Sequence, residues 1–333
     1  MQDTINEFIG GLKLGRKQSY KNLTVFALLS DYNADSDYLT LDEALAKDLI
    51  EVGEVSRGGS VPELKVVNRS DRMVLILDGE ELVGARQNRI VNTTILIAGN
   101  TTTVIPVSCV ERGRWSYRSD KFSSENRLMA SKLRAHKAAQ VKQSLKHTGR
   151  FSSDQSAIWN QVEEMAMQRD AVSPSMAMSE IYRKEAPSLE KYVKHFDLTG
   201  SQVGAVFMIN GKVAGMDCFG KPETFSKVFK KLVESYALDA IDSSGQDIEK
   251  AKTGTKTEAG KFLEASAGCR VEARQSVGLG TDCRLDADGS TGFALAHEDR
   301  VLHMSLFAKV AENQQQIPGS RMIRFSHRRR RRF

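Results

Sequence analysis

Apolar and polar positions follow three different periods along the chain, and the changes of period divide it into regions. In the first third, short apolar and β-branched runs stand between Gly, Asn, Asp and Ser. They are Leu23 to Leu29, Ile50 to Val55, Leu64 to Val67, Val74 to Leu77, Thr94 to Ile97 and Thr103 to Val107. Such runs predict strands, and their spacing suggests a β-sandwich or barrel-like sheet. One helix interrupts them, because Thr40 and Glu43 form a capping-box pattern at the head of LDEALAKDL. From Ser123 to Phe196 the period turns helical: Asp154 is placed to cap a helix carrying Ile158, Trp159, Val162 and Met165, and Pro187 stands at the start of another before Leu189, Tyr192, Val193 and Phe196.

Val203 to Ile209, Asn210-Gly211 and Lys212 to Cys218 then read as a hairpin on a primed turn. An amphipathic helix follows, with Phe225, Val228, Phe229, Leu232, Val233, Tyr236 and Ala240 on one face, an expected core stripe. Ser243 to Gly260 reads as a polar loop, and strands return at Arg270 to Val277, Gly292 to Ala296 and Val301 to Phe307. The pattern predicts an α+β fold made of a β-rich region 1–122, a helical connector 123–200, an α+β region 201–310 and a basic tail 311–333.

At 333 residues, 40% of them hydrophobic, the chain can fill ordinary cores. It holds no apolar run of membrane-spanning length and no apolar signal core near its start, so the expected compartment is the cytoplasm and no membrane partner is expected. Cys109, Cys218, Cys269 and Cys283 are widely spaced, without metal-ligand spacing, and read as buried thiols. The net charge of +6 is unevenly laid out: residues 112–150 hold eleven Lys and Arg against two Asp and Glu, and Arg328 to Arg332 close the chain. Positive charge confined in this way suggests a local anion site.

The candidate chemistry lies in LDGEELVGARQNRIV, Leu77 to Val91, and IPVSCVERGRW, Ile105 to Trp115. If the strand Val74 to Leu77 lies beside the second stretch, one rim collects Glu80, Glu81, Arg86, Gln87, Asn88, Arg89, Glu111, Arg112, Arg114 and Trp115. Guanidinium forks bind phosphates, amides read sugar or base edges, carboxylates accept from hydroxyls and an indole stacks on a base. In a catalytic version Glu80, Glu81 or Glu111 acts as general base, and a carboxylate pair can hold a divalent ion such as magnesium; the metal is otherwise unknown. His303, within VLHMSLF, reads as a core histidine.

YLTLDEAL, LDGEELVGARQNRIVNTTILI, IPVSCVERGRW, NGKVAGMDCFG and SYALDAI together resemble the ADP-ribosylglycohydrolase- and rhodanese-phosphatase-superfamily-associated protein domain family, over about Leu12 to Phe307. The resemblance implies a role near NAD or ADP-ribose metabolism and carries over no catalytic residue, and the Arg-rich tail is no part of the family pattern. The leading expectation is therefore binding or processing of an ADP-ribose- or NAD-type nucleotide at the rim. A second is nucleic-acid binding through the basic segment and tail, with Lys132, Arg134, Lys137, Lys142 and Lys146 along one helix face. A third is a non-enzymatic interaction protein.

Overall fold

The computed structural model describes residues 1–56, 58–243 and 252–309. Helix α1 (Gln2–Gly10) leads into β1 (Lys13–Tyr20) and β2 (Leu23–Leu29), then β3 (Tyr38–Thr40), α2 (Leu41–Ala46), β4 (Ile50–Glu54), β5 (Glu63–Asn68) and β6 (Met73–Ile76). Next come β7 (Glu80–Gly84), β8 (Arg89–Val91), β9 (Ile95–Ile97), β10 (Thr101–Cys109) and β11 (Phe122–Leu128). Three helices, α3 (Ser131–Thr148), α4 (Gln155–Gln168) and α5 (Met178–Val193), precede β12 (Gln202–Ile209) and β13 (Lys212–Phe219). Helices α6 (Pro222–Ser243) and α7 (Lys256–Ala267) and strands β14 (Arg270–Gln275), β15 (Thr281–Ala287), β16 (Ser290–His297) and β17 (Arg300–Ala308) complete the described chain. The α+β class and the β-rich start expected from the sequence are both present.

The strands form an eight-stranded sheet in the order β1-β2-β12-β13-β17-β16-β15-β14, a six-stranded sheet β11-β7-β8-β10-β5-β4 and a three-stranded sheet β3-β6-β9. The first hairpin thus belongs to the sheet of the last third, with Leu29 opposite Gln202 and Leu23 opposite Ile209. One face of the large sheet carries Ala205 and Phe207 against the Phe225 to Ala240 stripe of α6; the other carries Val206 and Met208 with Phe8, Ile9 and Ala259 from α1 and α7. The six-stranded sheet curls, and its concave face packs Val52, Leu64, Leu82, Val91, Ile105 and Val107 against Val74, Ile76, Ile95 and Ile97 of the three-stranded sheet.

Several expectations need correction. Val74 to Ile76 pairs with β3 and β9 and not with the Ile105 strand, whose neighbours are β5 and β8. Residues 123–128 continue strand β11, whose FSSENRL buries only its ends and so shows no strand period. Helix α5 starts at Met178 and runs through Pro187, whose missing amide falls on an exposed face of the helix. Within the expected polar loop, residues 244–251 lie outside the described residues, and α7 opens on a capping box of Thr255 and Glu258. The tail 311–333 also lies outside them. Among the described residues, no helix is long and apolar enough to cross a membrane.

Candidate functional site

The Leu77 to Trp115 motifs do not make one rim. They supply the two faces of a sheet, and alternation along β7 and β8 separates the expected site residues. Glu80 is buried with Leu82 on the inner face of β7, accepts from the Leu77 backbone N–H at 2.8 Å and pairs with Lys231 of α6, which also binds Asp42 at 2.7 Å. Burial pulls the Lys231 ammonium down, but Glu80 and Asp42 outweigh it and hold its pKa above the ordinary value. Glu80 therefore ties β7 to α6 and stands apart from Glu81 and Glu111.

Glu81 points to the opposite face. It is fully buried, neither carboxyl oxygen meets a hydrogen-bond partner within normal geometry, and the Asn88 amide beside it gives little relief. Burial pushes its pKa up to about 8. Glu111 accepts from the Asn88 backbone N–H at 3.0 Å and from Arg114 at 2.6 Å. Burial works to raise its carboxyl, and those two donors outweigh it.

The two terminal nitrogens of Arg114 also donate to the carbonyls of Ala85, Gly84 and Ser116 and to Asn88 Oδ1, and the Asn88 amide reaches Ser179. This group clamps a turn in which Gly84 sits at φ +129, where a Cβ would lie 2.5 Å from Ser119 Oγ and 2.8 Å from Lys121 O. Arg112 is exposed, 3.4 Å from Glu163 and over the Trp159 ring.

The inner face holds a different arrangement at one end of the curled sheet. Arg89 on β8 lies opposite Cys109 on β10, at the point where the β5 ladder has ended. Its guanidinium is 0% exposed. Nη1 donates to Gln87 Oε1 at 3.1 Å and to the Asn88 carbonyl at 3.4 Å, while Nε and Nη2 have no acceptor among the described residues. Among the described residues no ion pair reaches Arg89, and burial lowers its pKa. Beside it the Cys109 thiol donates to Gln87 at 3.1 Å; burial pushes the thiol up, which makes it a poor nucleophile. Gln155 holds the Cys109 backbone from both sides, at 2.8 Å to its N–H and 2.8 Å from its carbonyl.

Above Arg89 lies a cover of side chains. Trp115, 45% exposed, stands 5.7 Å from the Arg89 guanidinium and 5.6 Å from that of Arg86, which in turn lies 4.4 Å over Tyr117, 49% exposed. Of the expected residues, Arg86, Gln87, Arg89 and Trp115 thus come together. Tyr117, Glu54 and Cys109 join them. Glu54, at the end of β4, accepts from the Arg86 backbone N–H at 3.4 Å and leaves Oε2 buried without a partner. Nothing in its local sequence marks it, because only the curl of the sheet brings β4 round to β8.

The basic segment also reaches inward. Arg134 and Lys137 of α3 are buried, Arg134 in a fork on Asp217 at 2.6 and 3.2 Å and Lys137 on Asp78 and the Val91 carbonyl at 2.9 Å. His303 completes that network, 2.7 Å from Thr94 and 3.2 Å from Ser305, as a core histidine whose pKa burial lowers. Lys142 and Lys146 pair with Asp286 and Glu272 at 3.1 and 3.4 Å. Among the described residues, no cluster of three or more His, Cys, Asp or Glu is placed to hold a metal ion.

These features define an α+β protein with a buried, partly unsatisfied polar site at the mouth of a curled antiparallel sheet. The chain belongs to the ARG and Rhodanese-Phosphatase-superfamily-associated Protein domain family, whose model matches residues 11–307. No curated protein and no solved structure matches it.

Proposed function

We propose that this chain binds an ADP-ribose- or NAD-type nucleotide at the mouth of the curled sheet, with a phosphate on Arg89 and the base against Trp115. The observation that carries the reading is the Arg89 guanidinium, fully buried and, among the described residues, outside any ion pair, with two nitrogens lacking acceptors. Burying an uncompensated cation costs several kcal/mol, and a bound phosphate offsets that cost through charge-assisted, forked hydrogen bonds. Trp115 and Tyr117 supply exposed aromatic faces at the entrance, and the named association of the family with ARG proteins points the same way.

Binding is favoured over turnover. Glu80 and Glu111 are committed to Lys231 and Arg114, and Glu81 lies across the sheet from Arg89. Four free, buried cysteines suit the cytoplasmic setting such a ligand implies.

The test is a thermal-shift series with ADP-ribose, NAD, ADP, AMP and a short RNA, with and without magnesium, on wild type, Trp115→Ala and Arg89→Gln. A nucleotide at about 100 times its Kd stabilises by about 2.7 kcal/mol, a rise of a few degrees for a chain of this size. Both substitutions are expected to abolish that rise. No shift with any nucleotide, or one that survives both changes, overturns the reading. A shift with RNA alone moves attention to the exposed lysines of α3, a reading weakened by the burial of Arg134 and Lys137.

A further inference from the structure

Glu54 and Arg89 share the concave face of the six-stranded sheet, for Glu54 alternates with the core residues Val52 and Ile50, and Arg89 with Val91. They carry opposite charges and are near enough for Glu54 to oppose the lowering of the Arg89 pKa. Yet they form no ion pair within 4.0 Å, and each keeps polar atoms without partners, Oε2 on one side and Nε and Nη2 on the other. Opposite charges at the edge of a core normally close on each other, since contact offsets the cost of removing both from water. Here Gln87 and the Asn88 carbonyl hold the guanidinium at its own strand, and the Arg86 backbone N–H holds the carboxylate on the other. The result is a pair of buried, unsatisfied groups on one face of the sheet, a donor fork on β8 and a carboxylate acceptor on β4.

We propose that Glu54 is the hydroxyl-reading residue of this pair: Oε2 accepts from the vicinal hydroxyls of a ribose whose phosphate lies on Arg89. The assignment rests on the nucleotide reading above and narrows it to ribose phosphates. A carboxylate bonded to a diol is charge-assisted and has no use for a deoxy sugar. It also repels a bare phosphate on the neighbouring guanidinium.

Calorimetric titration of the full chain with ribose 5-phosphate, 2-deoxyribose 5-phosphate and inorganic pyrophosphate tests this, on wild type and on Glu54→Gln, with Glu54→Ala as second variant and thermal melts to verify folding. Wild type is expected to prefer the ribose compound by about tenfold or more. In Glu54→Gln that preference collapses while pyrophosphate binds as tightly as before or more tightly. A residue that merely supports the fold moves both ligands in the same direction. If pyrophosphate binds and the two sugars bind equally to wild type, or the preference survives both substitutions, the role of Glu54 fails and the phosphate site stands. If no phosphate binds wild type, the nucleotide reading fails and the assignment falls with it.

Discussion

Glu81 shows how one buried side chain makes the stability of this protein depend on pH. Its carboxyl has an ordinary pKa of 4.5 and is raised to about 8 by burial. Below the ordinary value it is protonated in both folded and unfolded chains and has no effect. Between the two values the unfolded chain releases a proton that the folded chain keeps, so stability falls as pH rises, and above about 8 the loss is complete. At its steepest this is about 1.4 kcal/mol per pH unit. Glu81→Gln is expected to remove that slope, giving a variant more stable than wild type at pH 8 and no different near pH 4. Urea unfolding at a series of pH values checks it, and parallel curves for the two proteins refute it. The sequence exposed the pair Glu80-Glu81, and adjacency alone placed them on opposite faces, but their surroundings depended on which helix arrived above each.

Helix α3 is the element most easily misread. Its Leu133, Val141 and Leu145 show a helical period, while the charge of the segment suggests an exposed basic face. In the fold, Arg134 and Lys137 share the buried face with those apolar residues, because Asp217 and Asp78 wait beneath them from β13 and the β6–β7 turn. Burial depresses Lys137 to about 8, with Asp78 acting against that. Lys137→Met is expected to leave the Asp78 carboxylate short of its main partner and cost about 3 kcal/mol, whereas exposed Lys132→Ala stays within about 0.5 kcal/mol. Chemical denaturation separates the two, and similar costs mean that Lys137 is not buried.

Local chemistry made other elements legible: the Thr40 capping box, the Asp154 cap, the Asn210-Gly211 turn and the α6 stripe all stand where their residues place them. Strand β1 escapes a pattern search because its KLGRKQSY buries one side chain, at the edge of a sheet.

At the scale of the molecule, the class of fold could be read from the period, whereas the interleaving of its parts could not. Nothing in LTVFALL names Gln202 to Ile209 as its partner, since apolar strands are interchangeable until three-dimensional packing selects among them. The candidate site follows the same rule: β10 and the run Arg86 to Arg89 were visible in the motifs, whereas the strand β8 that carries Arg89 was not, and Glu54 on β4 arrived only through the curl. Because β2 and β12 share a ladder, and one hydrophobic cluster includes Leu23, Leu75, Val162 and Phe225 from distant parts of the chain, unfolding is expected to be cooperative across the described fold. Tryptophan fluorescence, from Trp115 and Trp159, and far-ultraviolet dichroism should give coincident denaturation curves. Separate midpoints refute that.

The shared ladder also sets a timetable for biosynthesis. Gln202 lies 173 residues beyond Leu29, its partner in the finished sheet. At a ribosomal pace of roughly 5–20 residues per second, about 9–35 s pass between the emergence of the two strands. Throughout that interval the nascent hairpin β1-β2 presents an unsatisfied apolar edge, the kind that recruits strands from other chains. That interval is the opportunity of co-translational chaperones at residues 23–29.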